Sequence, residues 1–278
     1  MPVCVVTDST ADLPPEVVAS LGVVVVPLNV HFGTETFLDG VTITPDAFYD
    51  RLRRERQLPK TTQPSIGTFL EVYQRHASPS GILSLHISSK ISGTYNAACQ
   101  AAREMESQCP IQVVDTLQAS LALGLVVIAA ARAVQAGATL EQATQVARQA
   151  AARCHLFGVL DTLEYLEKGG RIGKAAAFLG SMLQVKPILS LKEGEAYPVE
   201  RVRTRRRALE RLVEIARQYA PLSQLAVAHS TTPDEAHALA EQLLPIAPLH
   251  GIVMGRFGAV LGTYLGPGAL GIALERAQ

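Results

Sequence analysis

The sequence predicts an α/β protein of two lobes, an N-terminal lobe on a parallel sheet and a C-terminal α/β lobe with a mixed sheet, a ligand lying between them. Three observations carry this prediction. Short apolar runs alternate with helical patterns that begin at capping residues and stop at glycines. Polar residues gather where the strands of the first half end, which is where open parallel sheets place their ligands. The length of 278 residues is long for one domain and short for three, and a boundary at 154/155 divides the chain into lobes 1–154 and 155–278.

The elements follow in order. Residues 3–6 are an apolar run closed by Thr7-Asp8-Ser9-Thr10, after which Pro14-Pro15 opens a helix that Gly22 stops. A second strand is expected over 23–32, then a turn at Asp39-Gly40, then a helix to about Arg54 with Thr44 as N-cap and Pro45 in its first turn. Residues 58–65 cannot be helical, because each proline pushes its predecessor into extended geometry; Ser65 then caps a helix over 66–76. Residues 81–85 read as strand, 86–95 as a hydroxyl-rich turn and 96–105 as helix. A strand over 111–116 again ends in polar residues, and two helices complete the half. One spans 118–136 and stops at Gly137; the other starts at Thr139, with Gln142 placed for a capping box.

In the second half, 156–160 is a strand and Asp161-Thr162-Leu163-Glu164 has the pattern of an N-cap with a capping-box glutamate. Gly169-Gly170 ends that helix after Lys168. Residues 186–202 form a hairpin about Glu193-Gly194, and Thr204 caps a helix over 205–219. A strand at 225–228, a helix over 233–243 and strands near 252–254 and 260–265 finish the chain.

Composition narrows the function. The 25 basic and 25 acidic residues balance, so no global field recruits nucleic acid. Hydrophobic content is 48% with no Trp, which makes the interior aliphatic and suits an apolar ligand and an ordinary core alike. Cys4, Cys99, Cys109 and Cys154 show neither CxxC spacing nor histidines at ligand distance, so no metal site is expected. The N-terminus carries no signal-peptide pattern, and the longest uncharged run, 116–131, is too short to span a bilayer; a cytoplasmic protein is the expectation.

Several motifs bear on chemistry. The stretch from Ser88 to Tyr95 offers the hydroxyls of Ser88, Ser89, Ser92 and Thr94 and the free amides of a helix start near Gly93, a set suited to an anion. A polar strand end is equally the mark of a solvated loop; three such clusters on one edge favour a site. Gly266-Pro267-Gly268-Ala269-Leu270-Gly271 spells the dinucleotide fingerprint, yet only seven residues follow it, too few for the required βαβ unit. Gly169 to Ala175 has the wrong spacing for a phosphate loop. No base is linked in sequence to Ser92, and a lone His86 at a strand end reads as a structural residue. Arg201, Arg203, Arg205, Arg206 and Arg207 oppose the dipole of the helix they enter, as a solvated face or a partner surface would.

These pieces together resemble the DegV family of bacterial fatty-acid-binding proteins over essentially the whole chain. The resemblance rests on Thr7-Asp8-Ser9-Thr10, on 61–65, on 88–95, on Lys168-Gly169-Gly170-Arg171-Ile172, on Lys186-Pro187 with Arg203-Thr204, and on 262–269. It implies a lipid-binding protein, not an enzyme, that needs no cofactor and holds a long-chain fatty acid between the lobes. The carboxylate would meet Thr61 and Ser92, with Thr62, Gly93 and Tyr264 beside them, and the tail would enter an apolar tunnel. A fatty acid kinase would be the partner, facing Arg171 and Arg203 and phosphorylating the carboxylate, as part of phospholipid metabolism. A monomer with transient membrane contact fits the same picture. The family places histidine where this chain has Tyr264, which still hydrogen-bonds a carboxylate but brings no charge. Two readings from other classes stand beside it: a serine-dependent hydrolase or transferase using Ser92, and a small-anion-binding regulatory module.

Overall fold

The computed structural model describes residues 2–55, 57–179 and 185–277. β1 (Cys4–Asp8) leads through a 3-10 turn (Ser9–Ala11) to α1 (Pro15–Leu21) and β2 (Val24–Val26). The single strand expected over 23–32 is two. Pro27 has no amide to give a ladder, and the next amide, Leu28 N, donates to Ser9 Oγ at 3.1 Å, so the chain leaves the first sheet there. β3 (Asn29–Phe32) instead pairs antiparallel with β4 (Glu35–Leu38), an unforeseen hairpin, and with β5 (Lys60–Thr62) beyond α2 (Pro45–Arg54). α3 (Ile66–His76), β6 (Ile82–His86), α4 (Thr94–Glu104), β7 (Ile111–Asp115), α5 (Ser120–Gln135) and α6 (Leu140–Arg153) follow.

The second half comprises β8 (Cys154–Val159), α7 (Glu164–Lys168), β9 (Lys186–Lys192), β10 (Glu195–Val202), α8 (Arg205–Tyr219), β11 (Leu222–His229), α9 (Pro233–Leu243), β12 (Ile252–Arg256), α10 (Ala259–Leu265) and β13 (Leu270–Arg276). The strand expected at 260–265 is the helix α10, and the last strand lies further on. Ala259, Val260, Leu261, Gly262 and Thr263 are all buried, so α10 shows neither alternation nor a one-sided stripe. The caps at Thr44, Ser65, Thr139 and Thr204 form as expected, with the Thr139–Gln142 capping box complete. The box at Asp161–Glu164 does not form. Thr162 Oγ1 accepts from Glu164 N at 3.1 Å, while Asp161 turns to Lys186 Nζ at 2.6 Å.

Three sheets result. A parallel sheet runs β2-β1-β6-β7, a small antiparallel one runs β4-β3-β5, and a six-stranded mixed sheet runs β10-β9-β8-β13-β11-β12. The largely apolar α5, with Arg132 and Gln135 exposed in its last turn, packs on β1 and β6 and also on β8, β11 and β13, so one helix joins the parallel sheet to the mixed one. Polar contacts tie the halves: Ser88 Oγ donates to Gly194 O at 2.8 Å, and Tyr49 OH to Phe257 O at 3.1 Å. Asp12 Oδ1 accepts from Gly258 N at 2.9 Å, and Asp39 Oδ1 from Ala259 N at 2.8 Å. Helix α10 therefore begins on two carboxylates of the N-terminal half. Among the described residues no helix is long and apolar enough to cross a membrane.

Candidate functional site

Residues 61 and 264 are far apart in sequence and meet in space. Pro59 and Pro64 keep the β5 segment extended, and pairing of Thr61 with Val30 fixes its direction. Thr61 Oγ1 and Tyr264 OH, on α10, share a hydrogen bond of 2.6 Å. Thr62 is committed elsewhere: its Oγ1 lies 3.0 Å from His31 Nε2 and accepts from Asn29 Nδ2 at 3.2 Å.

The 88–94 turn divides its hydroxyls. Ser88 is fully buried and occupied with Gly194 O, and Thr94 is buried under the turn. Ser92 is the one that lines the cavity; its Oγ bonds Thr94 Oγ1 at 2.8 Å and accepts from Thr94 N at 3.3 Å, a local turn that leads into α4, whose N-cap is Gly93. Gly93 lies against Gln63, whose Oε1 is 2.5 Å from where a β-carbon would stand.

Thr61, Thr62, Ser92, Gly93 and Tyr264 all line one cavity of about 220 Å³ between the lobes. Most of the rest of its wall is apolar, with Ile87, Leu156, Leu160, Leu166, Leu189 and Leu261 among its residues; Gln63, Ser120, Arg171 and Ser190 are the polar exceptions. Hydroxyls at one end of a greasy cavity suit an amphiphile with an acceptor head and an apolar body.

Arg171 also lines this cavity, which reading it as a partner-facing residue did not anticipate. Its Nε donates to Ile91 O at 3.2 Å, its Nη1 to Gly169 O at 3.0 Å, and its guanidinium stands 5.2 Å from the centre of the Tyr264 ring. The positive charge that tyrosine lacks is thus supplied alongside it. Arg171, Thr61 and Tyr264 also border an outer depression that contains Lys60 and Lys168.

Arg203 is exposed at the β10–α8 junction and does not line the cavity. Its neighbours in the arginine cluster are balanced locally: Arg205 Nη2 meets Glu235 Oε2 at 2.8 Å, Arg207 Nη1 meets Glu214 Oε1 at 2.7 Å, and Arg201 stacks on Phe178 at 4.8 Å. Acidic partners thereby offset the unfavourable placement at a helix start.

A polar chain unseen in the sequence runs under the turn. His86 Nδ1 lies 2.9 Å from Asp8 Oδ2 and His86 Nε2 lies 2.7 Å from Ser84 Oγ, to which Tyr73 OH donates at 2.8 Å. The order Asp, His, Ser mimics a hydrolytic triad. Ser84 and His86 are both 0% exposed and line no part of the cavity, so no substrate reaches them. Asp8 Oδ2 also accepts from Ile87 N at 3.1 Å, which makes the chain a support for the turn. Among the described residues no histidine bonds Ser92, and the nucleophile reading loses its base.

Fold and cavity together define a two-lobed α/β protein with a mostly apolar pocket and a hydroxyl-bearing mouth. The DegV family profile, described as that of an uncharacterised protein family, matches residues 2–277, and the chain belongs to that family. It is 41% identical to a DegV domain-containing protein of Streptomyces coelicolor over 279 residues, 98% of each chain. Among solved structures it is similar to a DegV family protein of Thermus thermophilus described for fatty acid binding, with a TM-score of 0.91, 34% identity and full coverage of both chains. Bacillus subtilis DegV, described as a fatty acid binding protein, aligns with a TM-score of 0.88 at 32% identity, again over all of both chains.

Proposed function

We propose that this protein binds a long-chain fatty acid, its carboxylate at Thr61 and Ser92 beside Gly93 and Tyr264 and its tail in the apolar cavity, and presents the acid to a fatty acid kinase. The observation that carries the reading is the cavity itself: an apolar interior whose mouth is marked by the Thr61–Tyr264 hydrogen bond of 2.6 Å. Similarity to DegV proteins described as binding fatty acids supports it. In this reading Arg171, at the mouth, and the exposed Arg203 face the kinase, and the chain acts in the cytoplasm as a monomeric carrier with no catalytic residue of its own.

Magnitudes divide the labour. Burying about 14 methylenes at about 0.8 kcal/mol each yields on the order of 11 kcal/mol, whereas one hydrogen bond to a charged group is worth about 1.5 to 3 kcal/mol. The tail sets affinity and the hydroxyls set orientation. Denaturing mass spectrometry of protein purified from bacteria should release a stoichiometric long-chain acid; protein that is folded and acid-free would overturn the reading. Ser92→Ala should weaken binding roughly tenfold to a hundredfold, the loss of one such bond, measured by titrating delipidated protein with the released acid. Wild-type affinity in that variant would remove Ser92 from the head-group site.

A further inference from the structure

The wall that the mixed sheet gives to the cavity has a gap in its middle. Gly158 of β8 stands directly opposite Gly271 of β13 on one side and Leu189 of β9 on the other. Leu156 and Leu160, two positions away along the chain, point to the same face and also line the cavity. Gly158 is therefore a bare spot with leucines on three sides and Gly271 on the fourth.

Packing accounts for one glycine of the pair. A β-carbon at Gly271 would come within 3.0 Å of Phe157 O and 3.4 Å of Phe257 Cζ, so the fold keeps that position small. At Gly158 the nearest atoms would be Leu270 O at 3.5 Å and Gly271 Cα at 3.8 Å, ordinary van der Waals contact. The backbone of Gly158 is not in the left-handed region either. Glycine inside a strand is less stable than a residue with a side chain, and it marks a place where something else comes close to the backbone. Although it sits in an inner strand of a six-stranded sheet, Gly158 is only partly buried, and it lines the cavity.

The geometry points to Gly158 as the residue that sets which acyl chains fit: the tail crosses the sheet over this glycine, between Leu156, Leu160 and Leu189. This rests on the fatty-acid reading above. A side chain at 158 would fill the path from the sheet side, and a chain stopped there would leave its end in water.

The test compares delipidated wild type, Gly158→Ala and Gly158→Leu, titrated with straight-chain saturated acids from dodecanoic to octadecanoic. The preference for octadecanoic over dodecanoic acid should fall in Gly158→Leu by about fourfold for every methylene that can no longer be buried. Gly158→Ala should move the same way by less, with a Tm equal to or above wild type. If Gly158→Leu fails to fold, the alanine variant decides. An unchanged chain-length order in a folded variant overturns the inference and leaves the function standing. A wild type that binds no acid of any length overturns the function itself.

Discussion

Replacing Arg153 with methionine should lower the unfolding free energy by about 3 to 5 kcal/mol, the cost of stranding a buried charge. Arg153 is the last residue of α6, and its Nη2 donates to Glu275 Oε1 at 2.6 Å. Glu275 lies in β13 and is 3% exposed; its other oxygen accepts from Gln224 Nε2 at 2.7 Å. Without the arginine, one amide is left to satisfy a carboxylate that has almost no water. The control is the double variant Arg153→Met with Glu275→Leu, which replaces the pair by apolar groups and should recover much of the loss, since such replacements are often neutral. Urea unfolding of the two proteins checks this. A single variant within 1 kcal/mol of wild type, or a double variant no better than the single, would sink the argument. The effect reaches the cavity, because β13 also supplies Leu270 and Gly271 to its wall.

What could be read from the sequence was local. Ser65, Thr139 and Thr204 each cap a helix with atoms three residues apart, and the capping geometry depends on little else. The strand ends, expected at 6, 85 and 116, lie within two residues of Asp8, His86 and Asp115, because polar residues follow each apolar run. Burial hid other elements. Helix α10 is apolar on every face, and β13, between β8 and β11, has six of its seven residues buried, so neither carries a period. Pro27 was in plain view, and its effect on the ladder was the missed signal. The site was half legible. Thr61 and Ser92 sit in hydroxyl-rich stretches, yet the bond from Thr61 to Tyr264 spans 203 positions and the one from Arg171 to Ile91 spans 80, separations that only the fold can close. The Asp8–His86–Ser84 chain was invisible because a lone histidine does not announce which carboxylate will reach it.

The start of α10 yields the second large effect. Asp39→Asn should remove the share of the stability change between acidic and neutral pH that Asp39 contributes, about 3 kcal/mol over the whole range, and leave that of Asp12. Burial pushes the Asp39 carboxyl from its ordinary 3.8 up to about 6, and the charge of Asp8 adds to this against the hydrogen bonds from Ser9, Ala259 and Val260. Its neighbour Asp12 is pushed up too, by burial first, although Gly258 N and Ser120 Oγ donate to it. The sign follows from proton counting. Between 3.8 and about 6 the folded chain holds a proton on Asp39 that the unfolded chain has released, so stability falls as pH rises through that window. Asparagine cannot ionise, and its oxygen still accepts from Ala259 N, so the slope should flatten while the cap of α10 remains. Urea unfolding of both proteins at about pH 5 and about pH 7 reads the upper part of that change, about 1.4 kcal/mol; equal slopes would place the titration elsewhere. The same helix ends at Tyr264, so the variant also asks whether the head group is held by this capped helix: ligand content that stays at wild-type level while the slope flattens would assign to Asp39 the charge cost alone, with the position of Tyr264 fixed by the backbone hydrogen bonds that asparagine keeps.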